Sequence, residues 1–324
     1  MSFRDTPKIE LHLHLEGAMP PAFIRGLAQE KGMSLDGVFD AQGNYAYRDF
    51  NHFLKVYEAA TEPLKTPEDF KRLTQAVLEE LAAHNVVYAE TFVSPDFCGG
   101  GDVEAWRDYL AAMAEAHVEG VTLKGIVTCI RHFGPEKAKA AATCAAETFG
   151  DFIRGFGIAG AEDVGHPRDY LWSFDCAREA GLHLTAHAGE WCGAPEVRAA
   201  IETLDVERIG HGVMAIDDPS VVSLIRERDV TLEVCPGSNV FLGVYSTLAA
   251  HPIQKLREAG VKVTVSTDDP PFFHTTMSKE YDDLAATFGW NEDDFAQINQ
   301  TALAAAFCDD TTRADIATRL KGAS

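Results

Sequence analysis

The chain has 324 residues, enough for one large α/β barrel or for two smaller domains. Its 46% hydrophobic and 24% charged content excludes disorder and collagen-like repeats as the main state. A formal net charge of -22, from 28 basic and 50 acidic residues, repels nucleic acid and anionic membranes, so the expected partner is a neutral or cationic small molecule.

The amino-terminal MSFRDTPK has no apolar stretch after its charges, and no run approaches the length needed to cross a bilayer. Seven cysteines stand at 98, 129, 144, 176, 192, 235 and 308, with no C-x-x-C pair and no regular spacing. Such a set reads as reduced thiols, so a soluble cytoplasmic protein is expected.

In chain order, short β-rich apolar runs alternate with helical patterns. The first run is IELHLHL, 9–15. Residues i, i+2 and i+4 of a strand share a face, so His12, His14 and Glu16 point one way and Leu11, Leu13 and Leu15 the other. Two imidazoles and a carboxylate on one face do not make an ordinary core. Residues 16–85 then carry roughly three helical patterns, too long for a simple strand–helix connection. Within them, YRDFNHFLKVYEAAT sets Phe50, Phe53, Leu54 and Tyr57 at helical spacing. Such a stripe packs into a core by default. The sharper reading makes residues 45–61 a lid, because long insertions on barrels often cover the catalytic face.

The further runs are VVYAETFV (86–93), LKGIVTCI (123–130), IRGFGIAG (153–160), HLTAHAGE (183–190), RIGHGV (208–213), TLEVCPGS (231–238) and KVTVSTDD (262–269). Helical patterns separate most of them. In DPSVVSLIRERD, Asp218 and Pro219 read as N-cap and first-turn residue. After the last run, NEDDFAQINQTALAAAF reads as a helix capped by Asn291. This alternation predicts a parallel sheet, and the eight units predict an α/β fold closed as a (β/α)8 TIM barrel. It would form one domain over 1–324, with a helical insertion after the first strand and extra C-terminal helices. A doubly wound open sheet is the alternative.

Barrels gather their chemistry at the C-terminal ends of strands. There this chain places His12, His14 and Glu16, then His187 and Glu190, then His211, then Asp268 and Asp269. His12, His14, His187 and Asp268 can reach one axial point. Three imidazoles and a carboxylate suit zinc, with nickel, cobalt and iron as competitors. Bound zinc lowers the pKa of a water to about 7. No lysine ends the fourth strand, in GFGIAGAE, so a carbamylated bridge to a second metal is not expected. His211 is placed to hold the water and take its proton, Glu190 to protonate a substrate ring nitrogen, and Asp269 to bind substrate. This much specifies hydrolysis or hydrolytic deamination.

Through HLHLEGA, HAGE, HGV and STDDPP, in that order and across most of the chain, the sequence resembles the adenosine deaminase family of metal-dependent hydrolases. The resemblance implies a (β/α)8 barrel and one zinc ion per chain on His12, His14, His187 and Asp268. It implies that Glu190 protonates purine N1, His211 handles the attacking water, Asp269 bonds N7, and the backbone N–H of Gly160 meets N3. Adenosine-specific members often carry Asp where Glu16 stands, to bond a ribose hydroxyl. Glu there is common in relatives that act on free adenine. The stretch STDDPPFFHTTMSKEY instead resembles adenosine-type bacterial members. Weighting this longer marker, the expected reaction is deamination of adenosine and deoxyadenosine. Free adenine, or a modified adenosine such as aminodeoxyfutalosine, is the alternative. An amidohydrolase for cyclic amides or esters and a silent binding homologue are rivals that leave the pairing of Glu190 with Asp269 unused. His132 and His166 read as loop-capping or supporting residues, and Cys192 has no charge relay around it in sequence.

Overall fold

The structure, a computed structural model, describes residues 2–322, and the side chains of Phe50 and Asn51 lie outside that description. Eight strands are β1 (Lys8–His14), β2 (Val86–Val93), β3 (Thr122–Ile130), β4 (Ile153–Ala159), β5 (His183–Ala188), β6 (Arg208–His211), β7 (Thr231–Val234) and β8 (Lys262–Val265). Each pairs in parallel with the next, in the order β1 to β8. The predicted barrel is therefore the fold. The open-sheet alternative fails because β1 and the end of β8 also meet: Leu13 bridges Asp268, with His14 N–H donating to Asp268 O at 3.0 Å and Asp268 N–H to His12 O at 3.1 Å. Ser266 Oγ accepts from the Leu11 and His12 amides along the same seam. Barrel closure and the positioning of Asp268 are thus one event.

Three helices fill the connection after β1: α1 (Pro21–Glu30), α2 (Phe50–Thr61) and α3 (Pro67–Ala83). Between β2 and β8 lie α4 (Val103–Ala114), α5 (Pro135–Thr148), α6 (Leu171–Glu179), α7 (Ala194–Ala199), α8 (Pro219–Glu227), α9 (Pro236–Phe241) and α10 (Ile253–Glu258). After β8 come α11 (Met277–Phe288), α12 (Glu292–Ala305) and α13 (Asp310–Lys321), the expected C-terminal additions. The expected caps are present. Asp218 accepts from Ser220 N, and Asn291 forms a capping box with Asp294, satisfying donors that the helix leaves unpaired.

The insertion is tied to the loop after β8. The Tyr45 ring stacks on Phe272 at 3.8 Å, and the Tyr47 hydroxyl donates to Phe272 O at 2.8 Å. Phe53 of α2 is buried beside Phe272 and Phe273. The packing reading of the apolar stripe holds at Phe53. Phe53 packs, and together with Leu54, Tyr57 and Glu58 it also lines the cavity at the barrel mouth. The side chain of Phe50 lies outside the described residues.

One sequence expectation needs correcting. The pairing of β1 with β2 slips between Glu10 and Leu13, so strict alternation fails there. Leu13 and Leu15 join the main core, whereas Leu11 packs with Ile9, Tyr88 and Ala302 in a second cluster. The irregularity is local, and His12 and His14 still converge.

Candidate active site

The strand ends bring the predicted residues to one cavity of about 120 Å³, lined by His14, Glu16, His187, Glu190, His211, Asp268 and Asp269 among others. His12 lies beneath, fully buried. One ligand atom from each of His12, His14, His187 and Asp268 falls within 4.8 Å of every other. His14 Nε2 faces His187 Nε2 at 3.2 Å and Asp268 Oδ1 at 3.2 Å, and His12 Nε2 stands 3.5 Å from the same oxygen.

The donor set fits a divalent ion, as the remaining ring nitrogens show. His12 Nδ1 meets Glu233 Oε2 at 2.7 Å, and His187 Nδ1 meets Ile158 O at 2.9 Å. In its neutral form, each imidazole so held turns the lone pair of Nε2 toward the shared point. His12 Nε2, although buried, has no hydrogen-bond partner among the described residues. A buried polar atom left so is costly unless a ligand satisfies it.

Two site residues carry a strained backbone. His211 and Asp268 are among the few non-glycine residues with positive φ, at 60° and 68°. Such conformations persist where surrounding structure imposes them, and they cluster at functional sites. Gly160 takes φ 98°, and a Cβ there would lie 2.8 Å from His132 Nδ1. At Gly17 the constraint is space: a Cβ on it would stand 1.5 Å from Asp269 Oδ1. The bare glycine is what admits that carboxyl.

Burial raises the Glu190 carboxyl well above its ordinary range, helped by the charges of Asp268 and Glu162. Asp269 is raised in the same way, by burial and then by Asp268, Glu190 and Glu16. Glu16 is pushed up to about 7 by burial. Burial opposes ionisation of Asp268 too, but the imidazoles of His12, His14 and His211 beside it outweigh that and hold the carboxyl well below its usual range. The site thus sets one ionised carboxylate beside two carboxyls that favour their protonated form, a division that suits acid–base work. Burial lowers His211 to about 3, so its imidazole is neutral.

Sequence reasoning missed several supports. Glu233 holds His12, and is itself held by Thr185 and by Arg208, which also ion-pairs with Glu90 at 2.6 Å. A Glu inside the apolar TLEV and an Arg opening RIGHGV were signals, since buried charge must be paired. Glu162 accepts from the amides of Gly189, Trp191 and Cys192 and so fixes the turn that carries Glu190. Ser238 Oγ donates to Asp268 Oδ2 at 2.7 Å. His132, expected to cap a loop, accepts from Ala161 N at 3.3 Å and also lines the cavity. His166 caps a turn by accepting from Arg168 N at 3.1 Å, and Cys192 and His274 are exposed.

A closed parallel barrel whose strand ends converge imidazoles and carboxylates on one mouth cavity defines the barrel-type amidohydrolase class. A family model described as adenosine deaminase matches residues 7–323, and the chain belongs to that family. It is 45% identical over 318 residues to a Rhizobium rhizogenes protein named adenine deaminase, covering 97% of this chain and 98% of the relative. Among solved structures it resembles an adenine deaminase from Arthrobacter aurescens, with a TM-score of 0.87 and 29% identity over 98% of each chain. It also resembles an amidohydrolase from Burkhoderia ambifaria with bound Zn, with a TM-score of 0.85 and 27% identity over 99% of this chain and 92% of the other. Among the described residues, no helix is long and apolar enough to cross a membrane.

Proposed function

We propose that the protein hydrolyses free adenine to hypoxanthine and ammonia, with one zinc ion on His12, His14, His187 and Asp268. The observation that carries the chemistry is the convergence of those four ligand atoms beside a carboxyl, Glu190, whose surroundings keep its proton. The substrate rests on the relatives named adenine deaminase and on Glu16, which agrees with them. The longer marker, STDDPPFFHTTMSKEY, pointed instead to adenosine. The relatives favour the shorter one.

A divalent ion bound there would lower the pKa of a water enough for attack at neutral pH. The residues do the rest. Glu190 gives its proton to ring N1, which makes C6 electrophilic. His211 faces the attacking water and orients it. Asp269, protonated, donates to N7, and the Gly160 N–H reaches N3. Glu16, whose Oε1 has no hydrogen-bond partner among the described residues, would fill the space a sugar needs. Water adds to C6 and gives a proton to the emptied Glu190 carboxylate, which passes it to the amino group; the C6–N bond breaks, ammonia leaves, and the remaining oxygen proton restores Glu190. Residues 45–61 act as a cover that keeps bulk water from the cavity, within one domain over the whole chain.

Adenosine and deoxyadenosine form the second reading, carried by the stretch after β8. The deciding experiment is ammonia release by the zinc-loaded protein with adenine, adenosine, deoxyadenosine and aminodeoxyfutalosine side by side. Adenine turnover well above the nucleosides is expected. Nucleoside preference would overturn the substrate and leave the chemistry, and no ammonia from any of them would overturn the chemistry.

A further inference from the structure

Behind the cavity, a chain of hydrogen bonds runs from the backbone to Glu190 and His211. Its middle member is Asn239, fully buried in α9. The Asn239 side-chain nitrogen lies 3.0 Å from Glu190 Oε1 and 3.2 Å from His211 Nδ1. Asn239 Oδ1 lies 3.2 Å from His251 Nε2, and His251 Nδ1 accepts from Ile253 N–H at 3.2 Å.

Each hydrogen position along the chain follows from the one before. The Ile253 amide can only donate, so His251 Nδ1 carries the lone pair and Nε2 the proton. Burial lowers the His251 pKa to about 3, so this neutral form persists. The Nε2–H can only donate to an oxygen, and that sets the orientation of the Asn239 amide, which distance alone would leave ambiguous. Both Asn239 N–H groups then face the cavity side, one for Glu190 Oε1 and one for His211 Nδ1.

We infer that Asn239, oriented by His251, is a positioning residue that makes Glu190 Oε2 the proton-bearing oxygen and sets His211 in the Nε2–H tautomer. Glu190 Oε1 is occupied as an acceptor, so the carboxyl proton sits on the other oxygen. His211 Nδ1 is likewise occupied, so its Nε2–H is a donor on the side of Asp268 Oδ2, 3.9 Å away. His211 therefore stabilises charge on the attacking oxygen by donating to it, which revises the expectation that it takes the proton. The identity of the proton acceptor rests on the deaminase reading, but the tautomers do not.

The test has two parts on zinc-loaded protein. First, with 15N-labelled histidine, NMR reports the tautomer of His211, assigned by its loss in His211→Gln. The expected wild-type signature is a proton on Nε2, moving to Nδ1 in Asn239→Asp, where a carboxylate can accept it. A wild-type proton on Nδ1 overturns the inference, whether or not any purine is turned over. Second, Asn239→Asp should lower kcat for the preferred purine about 10- to 100-fold with KM nearly unchanged, part of the roughly 10²–10⁴ that a positioned general acid supplies. His251→Gln keeps a donor for Asn239 and should retain most activity, whereas His251→Phe should match Asn239→Asp. Equal loss in both His251 variants, or wild-type kcat in Asn239→Asp, overturns the positioning role. If the wild type fails on every purine, the functional reading falls and the NMR result decides this one.

Discussion

Among single residues, the site divides its carboxyls by environment. Glu190 and Asp269 lie where burial and neighbouring negative charge disfavour ionisation, and Asp268 lies where three imidazoles favour it. Glu190→Gln keeps the shape and removes the transferable proton. Turnover should fall roughly 10²–10⁴-fold while zinc content, read by atomic absorption, stays the same. Near-normal turnover would remove Glu190 as the donor. Glu233 acts one step back, through His12 Nδ1 at 2.7 Å. Glu233→Gln keeps an acceptor but loses the charge, so zinc affinity should fall about 10- to 100-fold in a chelator competition. Unchanged affinity would show that the backbone alone orients His12.

Among the elements, the barrel positions the site and the insertion lines its mouth. Asp268 sits where β8 closes on β1, so its side chain is fixed by the same bridge that completes the barrel. The insertion works differently. It holds to the loop after β8 through Tyr45, Tyr47 and Phe53, all aromatic residues in contact with Phe272 or its neighbour. Phe53 is 5% exposed, so Phe53→Ala should cost about 3 kcal/mol if the site does not collapse. Because Phe53 also lines the cavity, the KM for substrate should rise more than kcat falls. Steady-state kinetics with a thermal melt separates these effects. A stability loss with an unchanged KM would make α2 packing alone.

Across the whole molecule, buried acids away from the reaction set a pH dependence of stability. Glu280 of α11 accepts from the Thr275 hydroxyl and from Gly237 N–H at 3.0 Å, joining the loop after β8 to the start of α9. Burial pushes its carboxyl up to about 7 from 4.5. Between those values the folded protein keeps a proton that the unfolded chain releases, so stability falls as pH rises through that window. The contribution is fully present below about pH 4.5 and lost above about 7, at most on the order of 3 kcal/mol. Glu280→Gln can keep both hydrogen bonds without titrating. Denaturant melts from about pH 4.5 to about 7.5 should show a flatter profile for this variant, and parallel profiles would mean the carboxyl stays ionised.

The barrel and most of the site were legible in the chain's own pattern. Strand runs and strand-end histidines are local signals: alternation, β-rich composition and a polar residue where a strand stops. They placed His12, His14, His187, His211 and Asp268 at one mouth because in a parallel barrel every strand ends at the same face. Glu233, Glu162, Ser238, Asn239 and His251 emerged only from the folded arrangement. Their meaning lies in partners far along the chain, such as Glu233 with His12 and Asn239 with Glu190. Folding also took Leu11 out of the alternation, since a bulge depends on the neighbouring strand and not on the strand's own pattern. A side chain's type announces what it can donate or accept, but burial and the three-dimensional neighbour decide which atom keeps the proton.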